Sequence, residues 1–324
     1  MRCFWCLAAA LALTAQPRPD GEILSSKPWP TLPEFASLDD FSRNYFPRAV
    51  YDEARTQKSF DILDITYASD GLAVAGFLAR PKDPGARKWP AIIFNRGGTS
   101  DYGRITRTTD DTSSCRQDHT PCLVIVDSYL WSKEGFVVIA SDYRFHGPTA
   151  KQDQWGGVDV NDVMHLVPAL RSLGFVDMDH LYMLGQSRGG TMGYIALKRG
   201  IPVKAAAVIA GPTDLKDMRP EFVHGDETYD GFANVWPDYE HRAEEYYRER
   251  SAVCWPDQIK VPVLILHSRI DKLVPVSHSI RMAAALQVAG GTYALHIYSS
   301  DGHSLPLNRA DRNRQIVEWF RQAK

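Results

Sequence analysis

Three residue types that together can break an acyl bond recur here at informative places. Gly185-Gln186-Ser187-Arg188-Gly189-Gly190 carries a serine between glycines, Asp271 follows an apolar run, and His303 closes Ser300-Asp301-Gly302-His303. A serine hydroxyl is a weak nucleophile until a base takes its proton during attack. His303 is the candidate base and Asp271 the candidate carboxylate that would orient the imidazole and stabilise its charged form. Asp301 lies too close to His303 in sequence to be a comfortable orienting carboxylate. His267 and His146 end other strands, and His267, behind a buried strand, reads as structural.

The elements around these residues supply the test. Leu181 to Leu184 reads as a strand and Thr191 to Lys198 as a helix, so Ser187 falls on a strand-to-helix turn. In such a turn the flanking glycines avoid collisions with neighbouring backbone, and the helix directs its positive N-terminal end at developing negative charge. Further apolar runs at Ala91 to Phe94, Phe136 to Ala140, Val203 to Ile209, Val261 to Leu266 and Tyr293 to Tyr298 alternate with helical stretches at Asp159 to Leu173, Ile280 to Val288 and Arg312 to Ala323. That rhythm predicts a mostly parallel sheet covered on both faces. Phe60 to Leu78 instead predicts an antiparallel hairpin turning at Asp70-Gly71. The order Ser187, Asp271, His303, with both partners on loops after strands, is the nucleophile, acid, base order of the α/β-hydrolase fold.

Length and composition agree with one large globular unit. The chain has 324 residues, 44% of them hydrophobic, and a formal net charge of -2. Balanced charge without a long basic run offers no nucleic-acid surface. Met1-Arg2 followed by the apolar Cys3 to Ala15 predicts a signal peptide, hence a secreted or periplasmic protein that no membrane segment holds after processing. The prolines from Pro17 to Pro33 predict an extended leader over 16–59, with the catalytic domain at 60–324. In an oxidising compartment Cys115 and Cys122 could close a small loop, leaving Cys254 free. With only His119 beside that pair, the ligand set is too poor for zinc, and neither a metal nor another cofactor is expected.

Several of these strings resemble the catalytic domain of the prolyl oligopeptidase family of serine peptidases. Gly156-Gly157-Val158-Asp159-Val160-Asn161-Asp162-Val163, Leu173-Gly174-Phe175-Val176-Asp177 and Gly185 to Gly190 look like that family's approach to its nucleophile. Asp142-Tyr143-Arg144 looks like its Asn-Tyr-Arg, and Ile259-Lys260-Val261-Pro262 like its lead into the acid strand. The resemblance implies a serine peptidase acting on a small peptide, with a carboxylesterase acting on a small or carbohydrate-linked ester as the alternative. It also implies two oxyanion donors: the backbone N–H of Arg188, and Asn95, by side chain or backbone, at the start of Asn95-Arg96-Gly97-Gly98. Family members typically carry a β-propeller ahead of this domain, whereas about sixty residues precede it here, which implies that the propeller gate is missing. Gly211-Pro212-Thr213-Asp214-Leu215 shows no aromatic cluster of the kind that grips proline, and nothing matches the glutamates that recognise a peptide amino terminus.

Two insertions interrupt the alternation, Thr99 to Asp127 and Pro212 to Arg250. The second returns to the carboxyl edge of the sheet, where ligands bind in open α/β folds. Its Phe222, Tyr229, Phe232, Trp236 and Tyr239 predict a small lid, with Phe232 and Trp236 lining the substrate pocket beside Ser187.

Overall fold

The structure is a computed structural model that describes residues 18–29, 32–38, 40–98, 120–144, 154–218, 221–224 and 227–323. Nine strands form one sheet: β1 (Ile23–Pro28), β2 (Phe60–Ser69), β3 (Leu72–Pro81), β4 (Trp89–Asn95), β5 (Val137–Ser141), β6 (Val176–Gln186), β7 (Ala205–Ile209), β10 (Val263–Ser268) and β11 (Tyr293–Tyr298). Their spatial order is β1-β2-β3-β5-β4-β6-β7-β10-β11. The first four neighbours pair antiparallel, and every pair from β5 to β11 is parallel. This is the α/β-hydrolase arrangement expected from the order of apolar runs. Asp70 and Gly71 both take positive φ, as a tight hairpin turn between β2 and β3 demands.

Alternation along the central strands divides the interior into two cores. Ile92, Phe94, Val138, Tyr182, Leu184 and Leu266 face one side. There they meet Ile125, Val126 and Tyr129 of α3 (Thr120–Lys133) and Ile316, Val317 and Phe320 of α9 (Arg309–Gln322). Ala91, Ile93, Ile139, Met183, Val208 and Ile265 face the other. They are covered by α4 (Val160–Met164), α5 (Leu166–Ser172), α6 (Arg188–Lys198) and α8 (Ser277–Val288). Strands buried on both faces read as continuous apolar runs, which is why they were legible. The single helix expected over Asp159 to Leu173 is divided into α4 and α5, because Pro168 has no N–H to donate back to Met164.

The expected leader is part of the domain. Ile23–Pro28 pairs along β2 as an edge strand, and α1 (Asp40–Tyr45) and α2 (Arg48–Thr56) follow. Trp29, Leu32, Leu38, Phe46, Tyr51 and Ala54 are buried in the first core. Prolines exclude a long helix but are tolerated at an edge strand and just ahead of a helix, where Pro47 precedes α2. The domain therefore begins well before Phe60.

The insertion after β7 folds as a hairpin of β8 (Glu221–His224) and β9 (Glu227–Asp230), then a 3-10 turn and α7 (Tyr239–Arg250). The end of the other insertion forms the start of α3. The signal segment, Cys115 and His146 lie outside the described residues, as does the Cys122 side chain, so the proposed cysteine pair does too. Cys254 is a free, exposed thiol. Among the described residues no helix is long and apolar enough to cross a membrane.

Candidate active site

Ser187 joins β6 to α6 with φ 54° and ψ -127°, a region that a residue with a side chain enters only when its surroundings hold it there. They do. Its N–H donates to the Ile209 carbonyl at 2.8 Å, and its own carbonyl accepts from the Gly190 N–H at 2.8 Å. A methyl group on Gly185 would overlap the Gly189 carbonyl, and one on Gly189 would overlap the Asn95 carbonyl. Only glycine permits β4, β6 and α6 to converge this closely.

Asp271 follows β10, with its side chain fully buried. Its Oδ1 accepts the main-chain N–H groups of Leu273 and Val274 at 2.8 and 3.0 Å, and its Oδ2 lies 2.7 Å from His303 Nδ1. Burial raises the carboxyl pKa, but hydrogen bonds from His267 and His303 and the Val274 N–H outweigh it and hold the group well below the usual carboxylate range. Asp271 is thus ionised, and His303 carries its hydrogen on Nδ1, leaving Nε2 as the acceptor. The His303 side chain is 15% exposed, so the base reaches solvent while its carboxylate does not.

The loops bearing these groups are tied to each other and to the elbow. Gln186 Nε2 donates to Ser304 Oγ at 2.6 Å, linking the residue before Ser187 to the residue after His303. Ser268 Oγ donates to the Asp301 carbonyl at 2.7 Å. Asp301 accepts the N–H groups of Gly302, Leu307 and Asn308 at 2.7, 3.1 and 2.9 Å. That competing carboxylate is committed to shaping the His303 loop. Gln186 and Ser304 carry no signal in the sequence beyond adjacency to the serine and histidine.

Two sequence expectations need correction. The Asn95 side chain is fully buried, and its Nδ2 lies 3.4 Å from where a Cβ on Gly193 would stand. The side-chain amide therefore sits under the second turn of α6 and points away from an oxyanion, because Asn95 ends β4 and alternation turns its side chain toward the helix; this bears on the side-chain form of the expectation and not on the Asn95 main chain. Gly97 is the loop residue that meets Ser187: a Cβ there would lie 3.1 Å from Ser187 Cβ and 3.7 Å from Oγ. Phe232 and Trp236 do not line an open pocket. They are 1% and 2% exposed, stacked at 4.2 Å, and packed with Leu215, Tyr246 and Tyr247 in the insertion's own core. With so little main structure beneath it, the insertion buries its largest rings to hold itself together.

A charge-balanced frame supports the loop and the elbow from behind. Arg188 Nη2 pairs with Asp159 Oδ2 at 2.8 Å, and Arg96 Nε with Asp142 Oδ1 at 3.2 Å, all four side chains buried. The Tyr143 ring stands between the two guanidiniums, 4.9 Å from each, and its hydroxyl donates to the Arg96 carbonyl at 3.1 Å. Asp142, Tyr143 and Asp159 lie in strings that resembled the family's, but their convergence on Arg96 and Arg188 depends on contacts across strands. Asp20, Asp70 and His165 also converge, yet Asp70 Oδ2 already accepts from Arg144 and Asn161 at 2.6 and 2.7 Å, so protein donors serve it as they stand. A groove of about 420 Å³ between α2, α3 and α9 contains none of the candidate residues.

Residues 124–324 match the sequence profile of the prolyl oligopeptidase family. The chain belongs to this family. It is a serine hydrolase of that family, in keeping with the resemblance already carried by Gly185 to Gly190 and Asp142-Tyr143-Arg144. Among curated family members, it is 26% identical over 259 residues to the uncharacterised peptidase YtmA of Bacillus subtilis, covering 79% of this chain and 92% of that protein. Its fold is similar to that of the acylaminoacyl peptidase of Pyrococcus horikoshii, with a TM-score of 0.66, 20% identity, and 83% of this chain covered against 42% of that one. A puromycin-hydrolysing peptidase of Mycobacterium tuberculosis superposes with a TM-score of 0.62 at 23% identity, over 78% of this chain and 37% of that one. The chain thus spans nearly all of YtmA and under half of these two larger peptidases.

Proposed function

We propose that the protein cleaves short peptides or related aminoacyl amides through an acyl-enzyme on Ser187. The observation that carries this reading is the 2.7 Å bond between His303 Nδ1 and a buried, ionised Asp271, on loops joined by Gln186 and Ser304 to a strained Ser187. Ser187 Oγ attacks the scissile carbonyl while His303 Nε2 takes its proton, and the developing imidazolium is stabilised by Asp271. The tetrahedral oxyanion is received by the main-chain N–H of Arg188 at the start of α6 and by the main chain at Gly97, in place of the Asn95 amide. His303 then returns the proton to the departing amine. Water, deprotonated by the same imidazole, releases the acyl group and restores Ser187.

Peptide amides are favoured by family membership, and the acylaminoacyl and puromycin-hydrolysing peptidases of similar fold extend the class to blocked or unusual aminoacyl groups. Residues 1–15 serve as an export signal in this reading, so the substrate is met in the periplasm or outside the cell. Ser187→Ala is expected to leave a folded protein whose hydrolysis of aminoacyl nitroanilides falls by about 10³-fold or more. Activity within tenfold of wild type would remove Ser187 from the mechanism. Faster turnover of p-nitrophenyl esters than of any nitroanilide, by a margin beyond their intrinsic reactivity, would make the enzyme an esterase.

A further inference from the structure

His267, the fifth residue of β10, is fully buried and lies outside the three-residue mechanism. Its Nε2 is 2.9 Å from the Val274 carbonyl. A carbonyl can only accept, so Nε2 carries a hydrogen. Its Nδ1 is 2.6 Å from Ser279 Oγ on α8 and accepts that hydroxyl proton. Both ring nitrogens are thereby satisfied. The same Nε2 stands 3.2 Å from Asp271 Oδ2, the oxygen that also accepts from His303. One carboxylate oxygen thus accepts the His303 N–H and stands beside the single His267 N–H, which is directed first to the Val274 carbonyl, while the other faces the Leu273 and Val274 N–H groups.

We propose that His267 is a positioning residue for catalysis: it fastens the Val274 turn that carries Asp271 and shares Oδ2 with His303, limiting the negative charge that the carboxylate offers the base. The proposal rests on the Ser187, His303, Asp271 reading. The other groups facing this cluster do not supply that function. His278 on α8 accepts the Thr213 and Asp214 N–H groups at 3.3 and 3.4 Å, and burial, then Arg281, pushes it down to about 4, so it is neutral. Arg281 pairs with Asp214 and Asp217 at the surface. Removing the His267 N–H leaves more charge on Oδ2 and favours the imidazolium of His303. Activity then requires a higher pH, because attack on substrate needs His303 neutral.

The test compares His267→Phe, which keeps a ring without an N–H, with His267→Gln, whose amide can restore a donor near Nε2. Readouts are melting temperature, fluorophosphonate labelling, and kcat and KM on an aminoacyl nitroanilide across pH. His267→Phe is expected to lower kcat by about 10- to 100-fold, to leave KM within about twofold, and to move the acid limb of the kcat/KM profile upward by about half a pH unit. His267→Gln is expected to bring the limb back and recover at least part of kcat. A folded His267→Phe enzyme whose acid limb stays in place, or a limb that His267→Gln fails to restore, overturns the proposal. Should both variants fail to fold, Ser279→Ala carries the test, with a smaller upward movement expected and an unmoved limb counting against it. Wild-type-like activity of Ser187→Ala and His303→Ala would instead bring down the underlying mechanism, independently of anything seen at position 267.

Discussion

The elbow around Ser187 and the insertion between β7 and β10 both crowd the carboxyl edge of the sheet, but they are held by different means. At the elbow, main chain dominates the contacts: Gly185 lies against the backbone of Gly189 and Gly190 at the start of α6, Gly189 against the carbonyls of Asn95 and Arg96 after β4, and Gly190 against Gly211 and the Val208 side chain of β7, with no room for a methyl group. In the insertion, side chain meets side chain: Phe232 stacks on Trp236 with the planes 3° apart, and Tyr247 stands edge-on to both. The two regions join at Trp155, whose ring lies 5.2 Å from the Arg188 guanidinium and 5.4 Å from the Phe232 ring. Backbone contact leaves few acceptable residues, whereas aromatic packing has several solutions of similar volume. The elbow should therefore be intolerant and the insertion gradable.

Gly189→Ala tests the intolerant side and carries the largest expected effect. The new methyl would overlap the Asn95 carbonyl, and neither chain can retreat without unpairing β4, so destabilisation by about 4 kcal/mol or more is expected in denaturant unfolding. A stable, active Gly189→Ala enzyme would show that β4 and α6 can part far enough to admit a methyl group. Trp236→Ala comes next. It empties the centre of the small core and deletes the bond from its indole N–H to the Gln154 carbonyl, at a cost of about 3 to 5 kcal/mol. Fluorophosphonate labelling per folded molecule should survive. Labelling lost in a protein that still melts cooperatively would mean that the insertion shapes the elbow through Trp155 and Arg188.

The root of the insertion is expected to answer to pH. His278 accepts the Thr213 and Asp214 N–H groups, and its pKa is pushed down to about 4, by burial first and then by Arg281. Its folded pKa lies below the unfolded one, so the unfolded chain binds the extra proton between them. The stability this neutral histidine supports is complete above about pH 6.5 and is lost as pH falls toward 4, with a slope of up to about 1.4 kcal/mol per pH unit. Unfolding free energies measured across that window should flatten in His278→Gln, and an unchanged slope would assign the dependence elsewhere. The smallest effect is expected for Gln186→Ala, which removes the tie to Ser304. A kcat about fivefold lower with stability within about 1 kcal/mol of wild type is the expected result. An unaltered kcat would leave Asp301 and Ser268 as sufficient supports of the His303 loop.

The same contrast explains which parts were readable from residue types alone. The order of strands and helices, the Asp70-Gly71 hairpin, the elbow and the Asp271 to His303 pairing follow from local rules: apolar runs, turn residues, and loops after strands. Proline content suggests a leader over 16–59 because it marks where helices cannot run, and it says nothing of whether Trp29, Phe46 and Tyr51 have a surface to cover. Asn95 begins a glycine-rich loop, which suggests a donor role by side chain or main chain, but strand alternation turns its side chain under α6. Composition suggests a pocket at Phe232 and Trp236 but cannot tell whether a ring faces substrate or its neighbours, and here both rings face their neighbours.

Residue types and their order are enough to place Ser187, Asp271 and His303 after successive strands of the sheet, because β6 and β10 hold apolar runs and β11, half-buried at the edge, still keeps the strand rhythm. What surrounds them is set by contacts between segments that the folded domain brings together. Gln186 with Ser304, Arg188 with Asp159, and His267 with Asp271 Oδ2 are separated by 118, 29 and 4 positions. Even the shortest of these separations carries no meaning until the Val274 turn folds the carboxylate back over the end of β10. Hydrogen bonds depend on distances of a few tenths of an ångström and on which way a side chain points. Those are set by the packing of several elements at once, and no local pattern in the chain records them.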